Sequence, residues 1–263
     1  MKLYRINALM LKYWYVSTRN FFRILEIFYY PLMGMLVWGF TTYYISDLVK
    51  NNAVINVFLG GAILWTFFIT AQMDIGIFIL EDMWNRNISN LFVSPIKNSE
   101  LIISTTLFGL FRCTLSFSFL ILIAFLLYSF NILSIGIFYV CLFAFGLMLF
   151  GWVTGIFLLG LIFRYGTRVQ SFLWLTAWLI QPFSAVFYPL HSLPIWLQKI
   201  SLLLPTTYIF EGMRTAFNNS AIDFRSLTLS FAINIILLIM AYTFFEKSIA
   251  YAKKKGMLTK FNE

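Results

Sequence analysis

Charged residues are scarce in this sequence. Asp, Glu, Lys and Arg account for 11% of the 263 residues and hydrophobic residues for 61%, and the mean hydropathy is +0.84. Soluble domains carry about 25% charged residues, so this composition excludes an ordinary soluble globular protein. The apolar runs are long and do not alternate with polar residues, which excludes a transmembrane β-barrel. We therefore predict an all-α integral membrane protein.

Residue types that serve metal binding and catalysis are equally rare. His191 is the one histidine, and the two cysteines, Cys113 and Cys141, fall within apolar runs, so neither a metal site nor a disulfide framework is indicated. The sequence also lacks the G-x-x-x-x-G-K-[ST] loop that cradles nucleotide phosphates. We expect no enzyme active site and no cofactor in this chain, and any ATP hydrolysis must be done by another subunit.

Six apolar runs are each long enough to cross a membrane as a helix, which takes about 20 residues. They cover about 24–46, 53–80, 101–130, 135–163, 169–188 and 226–245, within a transmembrane domain of 24–263. With the N-terminus inside, fourteen lysines and arginines fall in cytoplasmic segments and four in external ones. This asymmetry predicts a multi-pass protein of the cell (inner or plasma) membrane with both termini cytoplasmic. It also explains the net charge of +9 without nucleic acid as a partner.

The first 23 residues have a basic stripe and an opposing apolar face. On a helical wheel Arg5, Lys12 and Arg19 align with Arg23, opposite an apolar cluster of Leu3, Tyr4, Met10, Leu11 and Trp14. This pattern is typical of a helix in the membrane interface, with its basic groups toward lipid headgroups. We predict an interfacial amphipathic helix over 1–23. Arg5, Lys12 and Arg19 could equally contact a cytoplasmic partner.

A polar stretch, "LEDMWNRNISNLFVSPIK", interrupts the chain after the second run. Its apolar residues recur at helical spacing, and they are Trp84, Ile88, Leu91 and Phe92. The spacing predicts an amphipathic cytoplasmic helix over 81–96 that ends near Pro95. Glu81 and Asp82 are expected at its start, where the helix dipole favours negative charge. A solvated connector is the alternative, although a connector needs neither an apolar face nor this length.

Prolines divide the external segment 189–222. Pro189, Pro194 and Pro205 separate short apolar pieces, each of which is too short to cross a membrane. We predict one or two re-entrant half-helices, which require protein to cover their ends. Glu211 and Arg214 are one helical turn apart in "FEGMR", so we also expect an ion pair between them.

Two separated motifs carry a family resemblance. The helix after the second run with its "SPI" ending, followed by "FYPLHSLPIWLQKISLLLPTTYIFEGMR" before the last run, resembles the membrane subunits of type-2 ABC transporters over essentially the whole chain. The resemblance implies that 81–96 is a coupling helix resting on a nucleotide-binding subunit. The residues that it assigns to this docking site are Glu81, Asp82, Arg86, Asn90 and Pro95. Arg5, Lys12 and Arg19 of the N-terminal helix are a second candidate contact with that subunit, with lipid headgroups as the equal alternative. The resemblance also implies an external gate, which comprises Tyr188, Pro189, Pro194, Pro205, Glu211 and Arg214.

The same resemblance implies the partners and the activity. The partners would be an ABC ATPase subunit that binds ATP and Mg²⁺, a second copy of this permease in a homodimer, and membrane lipid. The implied activity is export of an amphipathic substrate, either a lipid-linked glycan, a lipid or a hydrophobic drug.

Two ionisable residues inside predicted spans leave an alternative open. Asp74 lies late in the second span, and Arg112 lies in the third. An ionisable residue near the membrane centre costs roughly 2.5–3.5 kcal/mol on insertion scales and is often functional. Arg112 is expected to extend its charge toward water or to pair with a carboxylate such as Glu100 or Asp74. The alternative is therefore an ion-coupled secondary transporter or channel that uses Asp74.

Overall fold

The computed structural model describes residues 2–49, 53–218 and 223–256, and no strand occurs among them. The helices of this part of the chain are α1 (Leu3–Arg19), α2 (Phe21–Val49), α3 (Ala53–Trp84), α4 (Ile88–Val93), α5 (Asn98–Tyr128), α6 (Ile137–Tyr165), α7 (Phe172–Ile180), α8 (Ile195–Ser201), α9 (Pro205–Phe217) and α10 (Phe224–Lys254). The all-α prediction is confirmed. Some of the predicted segments extend beyond the described residues. The parts that lie outside them include 50–52, the end of the external segment at 219–222, and the end of the transmembrane domain at 257–263.

Five of the described helices are long and apolar enough to cross a membrane, and they are α2, α3, α5, α6 and α10. The predicted fifth span, 169–188, is not one long helix, so the count of six is not confirmed. Its helical core, α7, has nine residues and is followed by a single 3-10 turn, Gln181–Phe183. Pro182 lacks an N–H group, and Ala185 has a left-handed backbone with φ 51°, so the helix cannot continue through this stretch.

The centre of the bundle is formed by α3 and α6, which are the most buried of the long helices. Gly151 and Gly155 of α6 form a G-x-x-x-G pair at their contact. A Cβ on either residue would lie 2.7 Å from a backbone oxygen of α3, that of Phe68 or that of Gln72. Because only glycine permits this approach, the pair brings the two backbones together. Around this centre, α5 and α2 pack on α3, and α10 packs on α6.

Contacts between helix ends define the two ends of the bundle. At one end α4 meets the end of α10, where Nζ of Lys253 lies 5.0 Å from the centre of the Phe92 ring. We call it the connector end, after the connector of residues 85–97 that joins α3 to α5. At the other end, the α9 end, the Phe217 ring of α9 packs 5.9 Å from that of Phe130, just after α5.

The stretch around α7 runs between these two ends. Gln170 accepts a hydrogen bond from Trp84, the last residue of α3, at the connector end. Phe187 stacks on Trp38 and Phe58 toward the α9 end, with ring centres 3.8 and 5.8 Å apart. The predicted fifth span therefore extends along the bundle although it is broken into short pieces.

Candidate functional site

The connector is a turn followed by a short helix. After Trp84 the chain turns through Arg86, which has a left-handed backbone with φ 56°, and α4 then runs over Ile88–Val93. Ile88 and Leu91 are buried against the bundle. The polar residues Asn85, Arg86 and Asn90 are exposed, as is Pro95 beyond α4. The connector thus has an apolar inner face at Ile88 and Leu91, as the spacing predicted. In contrast, Trp84 of the same predicted face is 48% exposed, and the outer face carries Val93 beside its polar residues.

The predicted single helix over 81–96 is corrected by the structure. Glu81 and Asp82 belong to the last turn of α3, because the left-handed residue at position 86 separates α3 from α4. At a helix C-terminus the dipole disfavours negative charge, the reverse of the predicted situation. Asp82 is also buried, with 4% of its surface exposed. These two acids therefore face into this chain, and Arg86, Asn90 and Pro95 are the exposed members of the predicted docking set.

Basic residues near the N-terminus compensate both acids. Lys12 of α1 donates to both carboxylate oxygens of Asp82. Arg23, near the start of α2, donates to Glu81 from Nε at 2.9 Å and also from Nη2. These contacts join residues that are 70 and 58 positions apart in the sequence.

A third acid joins the start of α5, just after the connector, to α1. Glu100, in the first turn of α5, accepts from the backbone N–H of Lys2 at 2.9 Å and pairs with Arg5 at 3.5 Å. Asp82 lies at the end of α3, before the connector, and Glu100 lies at the start of α5, after it. Helix α1 therefore contacts the chain on both sides of the connector. We call these ion pairs the α1 clamp, consisting of Lys12–Asp82 and Arg5–Glu100.

The orientation of α1 differs in part from the prediction. Its packed face consists of Ile6, Leu9, Tyr13 and Ser17, and the Tyr13 ring lies 4.5 Å from that of Phe78 of α3, tilted by 33°. Burial raises the pKa of the Tyr13 hydroxyl above its ordinary value. The predicted apolar residues Leu3, Tyr4, Leu11 and Trp14 are exposed, as expected for a helix that contacts lipid. Arg5 and Lys12 contact acids of the same chain, so Arg19 is the exposed member of the predicted contact set.

Trp84 links the connector to α7. Its Nε1 donates to Oε1 of Gln170 at 3.0 Å, and its ring is nearly parallel to that of Trp174, with centres 6.5 Å apart. The sequence placed Trp84 on the apolar face of the predicted helix and gave no role to Gln170 or to this pairing. Trp84 is therefore in direct contact with α7 and with the residue Gln170 that shortly precedes it.

A cavity of about 540 Å³ lies among α2, α3, α5 and α7. Its aromatic lining is contributed by Tyr30, Trp38, Trp65, Trp174, Trp178 and Phe187. Its charged lining consists of Arg23, Glu26, Asp74 and Arg112. Ligand sites in proteins are concave, mainly apolar and commonly 300–1,000 Å³ in volume, so this cavity has a suitable size and lining.

Asp74 and Arg112 form a buried ion pair on the cavity wall. Nη1 of Arg112 donates to Oδ1 of Asp74, and the side chains are 6% and 4% exposed, respectively. Of the two carboxylates considered for Arg112, the structure selects Asp74, while Glu100 pairs with α1. An acid already neutralised by a buried guanidinium is a poor binding site for a transported cation, which weighs against Asp74 as a coupling acid.

The predicted gate residues are held together between α7 and α9. Arg214 of α9 donates to the carbonyl oxygens of Ala185 and Val186, the latter at 3.0 Å, and pairs with Glu211 at 3.0 Å, as predicted. Glu211 in turn accepts from the backbone N–H of Leu190 at 2.6 Å.

The remaining members of the gate set shape the same segment. Tyr188 donates to the carbonyl oxygen of Pro182. Pro189 precedes the turn Leu190–Ser192, Pro194 precedes α8, and Pro205 begins α9. These contacts satisfy backbone groups in a non-helical segment, which membrane-embedded protein requires.

A comparison with protein families gives one match relevant to this architecture. The model of the ABC-2 type transporter family matches residues 6–218, which is more than half of the chain. The match covers the connector, the cavity-lining helices and most of the segment up to α10. The comparison with curated proteins gives no match.

Proposed function

This chain belongs to the ABC-2 type transporter family and is a multi-pass membrane permease. We propose that it is the permease subunit of an ATP-driven exporter that is energised by a separate ATPase subunit. The partner would bind ATP and Mg²⁺, and this chain would supply the substrate path.

The observation that carries the proposal is the connector. Its outer face exposes Arg86, Asn90 and Pro95, while its inner face packs on the bundle and the chain on both sides of it is held by the α1 clamp. An exposed polar element that is firmly attached to several helices is suited to receive force from a docked subunit. Trp84 provides a route for that force to α7 and the cavity.

We further propose six crossings, with the stretch around α7 as an interrupted fifth. An interruption at membrane depth is tolerated where protein covers the freed backbone groups, and Arg214 covers two such carbonyls here. The connector end, which gathers most of the basic residues, would face the cytoplasm with both termini. In this topology α8 and α9 dip back from the external face as re-entrant half-helices that gate the path.

The cavity supports an amphipathic substrate. Its wall combines six aromatic side chains with a buried ion pair and a partly exposed acid, Glu26. Two copies of the permease would bring two such cavities together across the exposed face of α2, which is the least buried of the long helices. A lipid-linked glycan, a lipid and a hydrophobic drug all combine apolar and polar parts as this lining requires.

The proposal is tested by co-purification and charge reversal. The tagged full chain is purified in mild detergent from its native membrane, and its partners are identified by mass spectrometry. We expect an ATPase with a phosphate-binding loop, and we expect Arg86→Glu to lose it. The matched control is Lys199→Glu, which reverses an exposed charge on α8, at the α9 end.

Absence of any such ATPase would contradict the proposal. The proposal would also be contradicted if the Arg86→Glu variant still exported substrate while a folded Asp74→Asn variant did not. That pattern would support ion-coupled transport through Asp74.

A further inference from the structure

The charges around the cavity do not balance. Arg112 and Asp74 pair one to one, whereas Arg23 is shared by two carboxylates, those of Glu26 at 2.8 Å and Glu81 at 2.9 Å. Of the described residues that line the cavity, Arg23 and Arg112 are the cationic ones. Counting these residues with their ion-pair partners gives two positive and three negative charges, so one negative charge is left over.

Glu26 carries the accessible part of this surplus. Its side chain is 34% exposed and lines the cavity, whereas Glu81 does not line it and is 16% exposed. Arg23, the counter-ion that they share, is only 7% exposed in its side chain and is directed to both acids. A positively charged group entering the cavity therefore meets a carboxylate that is only half compensated.

The aromatic lining of the cavity also favours a positively charged ligand. Tryptophan faces attract organic cations, and aromatic cages are a recurrent way of binding quaternary ammonium groups. Trp38, Trp65, Trp174 and Trp178 all line the cavity, which gives it half of the chain's eight tryptophans. Trp38 is held in place by its stack on Phe187.

Three buried polar atoms on the cavity wall have no hydrogen-bond partner among the described residues. Oγ of Ser116, Oδ2 of Asp74 and Nε of Arg112 are buried and make no hydrogen bond with the described residues, although all three residues line the cavity. Buried polar groups are normally hydrogen-bonded, and leaving one unsatisfied costs about 1–3 kcal/mol. Oδ2 of Asp74 is an acceptor, Nε of Arg112 is a donor and Oγ of Ser116 can act as either, so these atoms offer hydrogen bonds to a ligand without favouring one charge.

We propose that the cavity binds an organic cation with an apolar or aromatic body. This inference rests on the proposed export function and narrows its substrate to amphipathic cations. The cationic centre would lie near Glu26, and the apolar body would pack against the tryptophans. Anionic amphiphiles of the same size would be disfavoured because both arginines are already paired.

Two ions of matched size test this inference. Tetraphenylphosphonium and tetraphenylborate carry the same four rings and opposite charges, and their binding to the purified full chain in a neutral detergent can be followed by equilibrium dialysis. No ATPase and no membrane potential is needed. We expect the chain to bind tetraphenylphosphonium in preference to tetraphenylborate, with micelles alone as the background.

Substitutions locate the binding. Glu26→Gln is expected to lower tetraphenylphosphonium affinity about tenfold, the scale of a partly desolvated charge contact. Asp47→Asn, which removes an exposed acid from the same helix outside the cavity, should leave it unchanged. Trp178→Leu should weaken binding several-fold, whereas Trp196→Leu on α8 should not.

The inference is overturned if tetraphenylborate binds as tightly as the cation, or if Glu26→Gln and Asp47→Asn behave alike. Either result leaves the proposed export function standing, because that function is tested by the ATPase partner. Conversely, cation binding without a co-purifying ATPase would retain this site and reject ATP-driven export.

Discussion

The buried pair of Asp74 and Arg112 gives a prediction whose size follows from the structure. Asp74→Asn removes the one ion-pair partner that the structure gives to a guanidinium that is 6% exposed. Leaving one charge of a buried pair uncompensated costs about 3–5 kcal/mol, and an isolated arginine at a helix centre costs roughly 2.5–3.5 kcal/mol on insertion scales. We expect a loss of about 3 kcal/mol in the free energy of unfolding, or roughly 150-fold in the folded-to-unfolded ratio.

The single substitutions Asp74→Asn and Arg112→Gln should lower the free energy of unfolding by different amounts. Arg112→Gln leaves a carboxyl group that can bind a proton and become neutral, whereas a guanidinium cannot lose its charge in a protein. Arg112→Gln should therefore cost less than Asp74→Asn. The double substitution removes both charges and should recover most of the loss, because replacing a buried pair by neutral groups is often tolerated.

The assay is reversible unfolding in mixed micelles of dodecyl maltoside and dodecyl sulfate, followed by tryptophan fluorescence. Asp47→Asn is the control, since this exposed acid lies outside the cavity. A free energy of unfolding for Asp74→Asn within about 1 kcal/mol of the wild type, or a double variant less stable than Asp74→Asn alone, would show that Arg112 is not left as an uncompensated buried charge.

Two further predictions concern contacts inside the bundle. Trp84→Leu should raise the rate of hydrogen exchange about tenfold at the amides of residues 167–175, because it removes one hydrogen bond and one ring contact. Trp14→Leu is the control, since Trp14 and Trp84 are similarly exposed, and it should leave this rate unchanged. Unchanged exchange in the Trp84 variant would show that this contact does not hold the start of α7. Gly155→Leu should destabilise the chain by about 2 kcal/mol or more in the unfolding assay. Gly34→Leu is the control and should be tolerated, because a Cβ added at Gly34 would meet no atom of the described residues within 4 Å. Equal stability of the two variants would contradict the close approach of α3 and α6.

Much of this fold could be predicted because hydrophobic length and charge are local properties of the sequence. Five of the six predicted runs coincide with long helices, and the amphipathic spacing of Ile88 and Leu91 identified the buried face of the connector. The pair of Glu211 and Arg214 was also predictable, since its residues lie one helical turn apart.

The remainder depends on tertiary contacts or on backbone geometry with no sequence signal. Arg86 adopts a left-handed conformation, which glycine and asparagine favour and arginine does not, so the break between α3 and α4 could not be read from its identity. The partner of Lys12 lies 70 residues away, and that of Trp84 lies 86 residues away. Hydrophobic periodicity cannot reveal such pairs, and it left Lys12 to contact either lipid headgroups or a partner subunit.

Site-specific photo-crosslinking tests whether the outer face of the connector receives an ATPase subunit. A photoreactive phenylalanine analogue is placed at Asn90 of α4 and, as the matched control, at Trp196 of α8; both positions are exposed. After irradiation of native membranes, we predict that Asn90 captures a chain with a phosphate-binding loop and that Trp196 does not. Capture of that chain from Trp196 but not from Asn90 would contradict the account.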